Sequence, residues 1–292
     1  MFKPMKAATM ESESQLRFPL LGSFKLDGFR CILKDGAART KSFKPIRNEF
    51  VQVKLYDLRS AYLDGEIVVG SPCDGETLSR TQSGVTSFMG EPDFKLYVFD
   101  HIQFPTHTYQ NRESLIKYSE YHPRIVHLEQ TWLKDLADLR TFEAKALELG
   151  YEGIMVRCPV APYKYGRSTP SENYLWKIKR FTDGEAEVLA VLEGETNNNA
   201  ATTNVLGETE RTTHQENMSP NGQVGTLVCK DYVTGEVYNV APGRMTVIWR
   251  KYYLAHSDEL IGQIIKHKSF DYGSLNTARF RTFQALRDAD DM

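Results

Sequence analysis

Lys25-Leu26-Asp27-Gly28-Phe29-Arg30 is the stretch on which the reading of this chain turns. It follows an apolar run from Phe18 to Phe24 and sets an amine beside a carboxylate, a glycine and a guanidinium. An unperturbed lysine has a pKa of about 10.4, so at neutral pH roughly one in 2,500 carries a free amine able to attack. Nearby positive charge or desolvation lowers that value, and each unit adds about tenfold neutral amine. On a strand, Asp27 shares the face of Lys25 at period two and can hold a divalent cation beside it. Gly28 removes a side chain where a phosphate would approach, and Arg30 offers a fixed fork to phosphate oxygens. The same six residues also suit an ordinary strand entering a turn with a solvated Lys–Asp pair. Alone they do not separate the two readings.

A chain of 292 residues is long for one core, so two domains are expected. Apolar content of 41% and charged content of 25% are those of a soluble globular protein. No apolar run approaches the ~20 residues of a membrane span, and the N-terminus lacks a signal-peptide core. Four scattered cysteines, Cys31, Cys73, Cys158 and Cys229, form no Cys-x-x-Cys pair. They read as packed thiols of a cytoplasmic protein that is not secreted, and they do not point to a zinc site or a disulfide framework. The net charge of −2 hides an asymmetry. Residues 182–292 carry 10 basic against 16 acidic side chains, and residues 1–181 carry 26 against 22. A polyanion surface is therefore expected on the first part only.

Short β-type runs fill the first hundred residues. Phe18–Phe24 and Phe29–Leu33 read as strands, and Lys34-Asp35-Gly36 as a hairpin turn before Ala37–Ser42. Asn48 is placed to cap a helix over Glu49–Leu58. Ala61–Val69, interrupted at Asp64-Gly65-Glu66, and Phe94–Ile102 read as strands. Lys134–Leu149 puts Leu136, Leu139, Phe142, Ala146 and Leu149 on one helical face and ends at Gly150. Strands follow at Gly153–Arg157 and Tyr174–Arg180, and a boundary at Thr182-Asp183-Gly184. Beyond it lie five strand-like runs, Glu185–Leu192, Gly225–Lys230, Glu236–Val240, Ile261–His267 and Ala278–Leu286. Glu195–Gln223 between the first two is polar and long, the mark of a functional or disordered insertion. Five short strands with one long loop point to an OB-type barrel.

Five further segments share the theme of phosphate, sugar and metal. Lys41–Asn48 is a basic loop, which alone is a solvated face. Asp64-Gly65-Glu66 carries a carboxylate for a ribose hydroxyl or a metal, or is a bulge with exposed acids. Tyr97-Val98-Phe99-Asp100 ends a strand with aromatics that suit either a core or a purine. Glu152-Gly153-Ile154-Met155-Val156-Arg157 enters a buried strand with a carboxylate at its mouth, suited to magnesium. Trp176-Lys177-Ile178-Lys179 sets two ammonium groups on one face, for a triphosphate or for lowering another lysine's pKa.

In that order, over about 155 residues, these segments resemble the motif series of the covalent nucleotidyltransferases, which include ATP-dependent DNA ligases, RNA ligases and mRNA capping enzymes. Lys3–Thr9, Phe43–Asn48 and Tyr163–Ser168 are similar to stretches of the minimal DNA ligases of phages and large DNA viruses. The resemblance implies an α+β fold: a nucleotidyltransferase (adenylation) domain of antiparallel sheets flanked by helices over 1–181, then a C-terminal OB-fold β-barrel over 182–292. Residues 195–223 then correspond to a latch that folds over DNA.

The implied activity is that of a DNA ligase (ATP) with ATP and magnesium (manganese in its place) as cofactors. Its implied partner is nicked duplex DNA, in replication, repair or recombination, with no membrane and no obligate protein partner, as a monomer. The resemblance implies Lys25 as nucleophile, Glu66 at the ribose, Phe99 against adenine, and Asp27 and Glu152 at the metal. It gives Arg30, Lys41, Arg167, Lys177 and Lys179 to the nucleotide and nick phosphates, and Arg287 to the pyrophosphate leaving group. Two positions depart from the family pattern. Lys41 stands where an arginine is usual, which keeps charge and loses bidentate recognition. The tail reads Arg287-Asp288-Ala289-Asp290-Asp291 in place of Arg-x-Asp-Lys. An RNA ligase or a GTP-using capping guanylyltransferase is the nearest alternative. A non-catalytic OB-fold protein binding single-stranded nucleic acid is a distant one, for it would need no Lys-x-Asp-Gly.

Overall fold

The computed structural model describes residues 2–58, 61–116, 122–179, 181–203, 209–270 and 279–287. The chain forms two compact units, the first within Met1–Lys179 and the second from Arg180–Thr202 and Thr209–Met292. In chain order the strands of the first unit are β1 (Ala8–Thr9), β2 (Leu20–Phe24), β3 (Phe29–Lys34), β4 (Ala37–Arg39), β5 (Leu63–Val69), β6 (Phe94–His101), β7 (Ile125–His127), β8 (Thr131–Leu133), β9 (Gly153–Arg157) and β10 (Leu175–Lys179). Its helices are α1 (Glu49–Lys54), α2 (Thr77–Thr86), α3 (Tyr109–Ile116) and α4 (Leu136–Glu148).

Two five-stranded sheets result, in the orders β1-β10-β9-β2-β8 and β4-β3-β5-β6-β7. Pairing is antiparallel except for β1 with β10 and β6 with β7. One apolar core, with Leu20, Ile154, Trp176 and Ile178, packs beneath α4, and another, with Leu33, Ile67, Phe94 and Val98, gathers Val51 of α1 and Val85 of α2. Asp135 caps α4, accepting from the backbone of Ala137 and Asp138. Leu149, expected on the buried face of α4, is exposed, because it already lies past the last helical turn. The helix expected over Glu49–Leu58 holds as α1 through Lys54 and then tightens into a 3-10 turn at Tyr56–Leu58.

Lys25-Leu26-Asp27-Gly28 is not a strand. It is the crossing that carries the chain from β2 in one sheet to β3 in the other. Leu26 is buried there, while Lys25 and Asp27 are both half-buried, though on a crossing and not on a strand. Gly28 is needed for a reason other than phosphate access. A Cβ at this position would stand 2.3 Å from the Ile67 carbonyl oxygen and 2.8 Å from Glu66 Cγ. The crossing thus lies directly on β5, which a side chain would push away. β5 is also unbroken, running through Asp64-Gly65-Glu66 where an interruption was expected.

The second unit holds β11 (Thr182–Asn197), β12 (Ala201–Thr203), β13 (Thr209–Arg211), β14 (Met218–Asp231), β15 (Val237–Val240), β16 (Ile264–Phe270) and β17 (Arg279–Leu286), with α5 (Val247–Ala255). Five of these strands form one antiparallel sheet, β15-β14-β11-β16-β17, around a core with Val188, Leu227, Cys229, Ile265 and Phe283. The ladder is open, and beyond β15 a bridge of Ala241 to Thr282 joins its two outer edges. The polar insertion is more ordered than its composition implied. β11 and β14 run into it as far as the pair Asn197 and Met218, and β12 pairs with β13 at its outer part. No described helix is long and apolar enough to cross a membrane.

Gly28→Ala should fold with a stability loss of about 1–3 kcal/mol, read as a lower urea midpoint, because β5 must move to admit the methyl group. An unchanged midpoint would count against the close approach.

Candidate active site

The crossing is pinned where the two sheets meet. The Lys25 backbone N–H donates to the Gly153 carbonyl at 2.9 Å, which ties it to the start of β9. Glu152 immediately precedes that strand, and its two carboxylate oxygens accept one from Lys25 Nζ and one from Lys179 Nζ. Burial opposes charge on Glu152, but Lys25 and Lys179 together hold its carboxyl below the usual range. On β10 the pleat separates roles: Trp176 and Ile178 are buried in the core, and Lys177 and Lys179 are half-buried on the opposite face.

Beside this cluster opens a cavity of about 190 Å³ lined by Lys25, Arg30, Glu66, Phe99, Arg157 and Lys177. Phe99 reaches it through a bulge. Asp64 of β5 faces Asp100, Gly65 faces Val98, and Phe99 is the extra residue of β6. Val98 and Asp100 thereby both stay buried while Phe99 turns toward the cavity. Arg30 Cζ lies 4.8 Å from the Phe99 ring centroid.

The fork of Arg30, expected to face phosphate oxygens, grips Asp64 instead, and its Nη2 also donates to the Met5 carbonyl at 3.1 Å. Asp64 accepts a third bond from the Tyr163 hydroxyl at 2.5 Å. Asp100 accepts from Arg112 Nε at 2.8 Å and Nη2 at 3.2 Å, and from Arg157. Both carboxylates are completely buried. Buried charge of this kind persists only when paired.

Glu66 keeps its place on β5, opposite Tyr97. Burial pushes its carboxyl up to about 7; Asp64 and Asp27 add to the rise, and Arg30 and Lys25 oppose it. Lys177 is lowered from the usual lysine value by burial first, then by Lys179, Arg167 and Lys25. Among the described residues its ammonium has no hydrogen-bond or ion-pair partner.

The remaining expected residues are placed as follows. Asp27 is half-buried within the crossing, near enough to act on Glu66. Arg167 is exposed and donates to the Ala7 carbonyl at 2.9 Å. Lys41 is exposed in the turn after β4 and does not line the cavity. Arg287 belongs to the second unit, where its Nε faces Glu185 at 3.3 Å. The tail residues 288–292 lie outside the described residues. No group of three carboxylate, histidine or cysteine side chains that could hold a metal occurs among the described residues. Asp27, two residues from Lys25, and Glu152, in contact with it, supply the one or two carboxylates that a hard cation bound chiefly through phosphates needs.

Sequence reasoning missed the roles of Asp64, Asp100, Arg157, Tyr163 and Ser23. A carboxylate inside an apolar strand, as in Leu63-Asp64 or Val98-Phe99-Asp100, was the available signal for a buried ion pair. Ser23, on β2 opposite Met155, is a cavity-lining residue that nothing in its local pattern marks.

The family model for the ATP-dependent DNA ligase domain matches residues 4–179. Chlorella virus DNA ligase-adenylate is similar in structure at 28% identity and a TM-score of 0.56, over 98% of this chain and 99% of its own. A Lig E DNA ligase structure is 21% identical with a TM-score of 0.74, over 98% of this chain and 100% of its own, which shows the fold. Among curated proteins no sequence match is found.

Two outcomes follow from the charges. Asp100→Asn leaves two guanidinium groups without their buried counterion and should cost about 3 kcal/mol or more in unfolding free energy by denaturant titration. Glu66 binds its proton more tightly in the folded state than the ordinary value of 4.5. Its contribution is thus complete below pH 4.5 and is lost as pH rises through about 7. Glu66→Gln should gain thermal stability relative to the parent across that window, and parallel melting curves from pH 4.5 to 7.5 would contradict the assignment.

Proposed function

Because the chain belongs to the ATP-dependent DNA ligase domain family, we propose that it seals nicks in duplex DNA, joining 5′-phosphate to 3′-hydroxyl through a lysine-AMP and a DNA-adenylate. The observation that carries this reading is Lys25, which lines the cavity and whose Nζ donates to Glu152, the carboxylate that Lys179 also holds. The relative from Chlorella virus is a ligase-adenylate, which supports the same covalent state here.

In the first step Lys25 Nζ loses a proton and attacks the α-phosphorus of ATP. A P–N bond forms, the bond to the bridging oxygen breaks, and pyrophosphate leaves. Glu152, in hydrogen-bond contact with that amine, orients it, and the proton passes to solvent. Adenine stacks on Phe99, the Ser23 hydroxyl meets a polar edge of the base, and Glu66 accepts a ribose hydroxyl. Lys177, with no partner of its own, and Lys179 offset charge on the transferring phosphoryl group. Asp27 and Glu152 would hold magnesium with the substrate's phosphates, and the ion would neutralise part of that same charge. Arg30 acts through Asp64 and the face of Phe99 in this reading, and Arg157 through Asp100.

In the second step a 5′-phosphate oxygen attacks the AMP phosphorus, the P–N bond breaks, and Lys25 regains its proton. In the third, the 3′-hydroxyl attacks the activated 5′-phosphate and AMP leaves. Lys41, Arg167 and the arm of β11 to β14 are assigned to the DNA backbone, and Arg287 to the pyrophosphate of the first step. A nick carries no sequence to read, so the grip is on phosphates, and affinity should fall steeply with salt.

Lys25→Ala should take no label from ATP labelled at the α-phosphate, yet still close a nick that is already adenylated, since the third step makes no bond to Lys25. Label on that variant would overturn the assignment. Nicked DNA against nicked RNA, each with ATP or GTP, separates the DNA ligase from an RNA ligase or a capping guanylyltransferase.

A further inference from the structure

Tyr163 is a buried residue to which no step above assigns a task, and it joins three distant segments of the first unit. Its hydroxyl donates to Asp64 on β5 at 2.5 Å and accepts from the Met5 backbone N–H at 3.0 Å. Burial, then Asp64, raises its phenol well above the ordinary tyrosine value, so the hydroxyl keeps the proton it donates. Its ring stacks on Phe2 at 6.2 Å with planes 10° apart, and Arg112, the partner of Asp100, lies 5.7 Å from the ring centroid. Tyr163 therefore touches both buried carboxylates, Asp64 through its hydroxyl and Asp100 through Arg112.

The segment it holds is part of the cavity wall. Arg30 closes the ring of bonds by gripping Asp64 and donating to the Met5 carbonyl. Lys6 donates its backbone N–H to Gly166 and accepts from Ser168, both at 2.7 Å, and Ala8 and Thr9 then pair with Trp176 and Lys177. Ala7, between these anchors, lines the cavity. The N-terminal segment is thus laid between the loop that bears Arg167 and the strand that bears Lys177, and Tyr163 sets its entry.

We propose that Tyr163 is a positioning residue for nucleotide binding: its hydroxyl locks Asp64 and Met5 so that Arg30 lies over Phe99 and Ala7 closes the cavity. The proposal rests on the ligase reading above. Without the hydroxyl, Asp64 keeps the Arg30 fork but loses its third donor, and the Met5 N–H loses its acceptor. The N-terminal segment then loosens and the cavity widens at Ala7. Lys25, Glu152 and Lys179 are untouched, so bond making at the α-phosphorus is unaffected. The loss falls on nucleotide affinity.

The test is single-turnover self-adenylation of the full chain against ATP concentration, with Tyr163→Phe and with Tyr165→Phe as control, since Tyr165 is exposed. For Tyr163→Phe the half-saturating ATP concentration should rise roughly five- to tenfold, the scale of one lost hydrogen bond. The rate at saturating ATP, and closure of a pre-adenylated nick, should stay within about twofold of the parent, the bond-making groups being unchanged. Tyr165→Phe should match the parent throughout. An unchanged half-saturation, or a fall confined to the saturating rate, overturns the positioning role. A parent chain that takes no AMP at all overturns the ligase reading instead, so the two failures are distinguishable.

Discussion

A carboxylate removed from water must be paired, and the first unit is organised around two that are completely buried, Asp64 and Asp100. Each stands on a central strand of the same sheet, facing the other across the β5–β6 ladder. Asp64 draws Arg30 from β3 and Tyr163 from a loop about a hundred residues away. Asp100 draws Arg112 from α3 and Arg157 from the end of β9 in the other sheet. Strands, a helix and a loop from distant parts of the chain are thereby held to one geometry. The cavity lies between the two pairs, and its aromatic floor, Phe99, is the bulged residue next to Asp100.

The same economy appears at Glu152. One carboxylate holds both Lys25 and Lys179, so the crossing after β2 and the strand β10 converge on one point. Lys177, two residues from Lys179, is left without such a partner among the described residues. Two lysines on one face of one strand thus differ in pairing, by the reach of a single acid.

Several elements were legible because their buried faces are apolar. Phe94, Leu96 and Val98 mark β6 by alternation, and Leu139 and Ala146 mark α4 by helical spacing. α2 and α3 were not legible for a physical reason. The buried face of α2 is Thr77, Thr81 and Val85, and its threonine hydroxyls bond backbone groups, donating to the Ser71 carbonyl and accepting from the Val69 N–H. The buried face of α3 includes Arg112, a charge that belongs inside only because Asp100 is there. The insertion before β14 misled in the opposite direction. Its Asn199 is buried and bonds the carbonyls of Thr212 and His214, so side-chain amides do there what apolar packing does elsewhere.

By itself the sequence determined which chemical groups this protein owns and in what order: the Lys-x-Asp-Gly-x-Arg run, the acids of β5, the acid just before β9, and the two lysines of β10. Order and residue type suffice for that because each motif is local, a matter of neighbours along the chain. Only the tertiary structure decided which group faces which. The Arg30 fork turned to Asp64, Gly28 served the approach of β5, and Tyr163 met Met5. A partner across the fold cannot be read from spacing, because it depends on where two sheets bring distant backbones together and on which charges burial forces to pair.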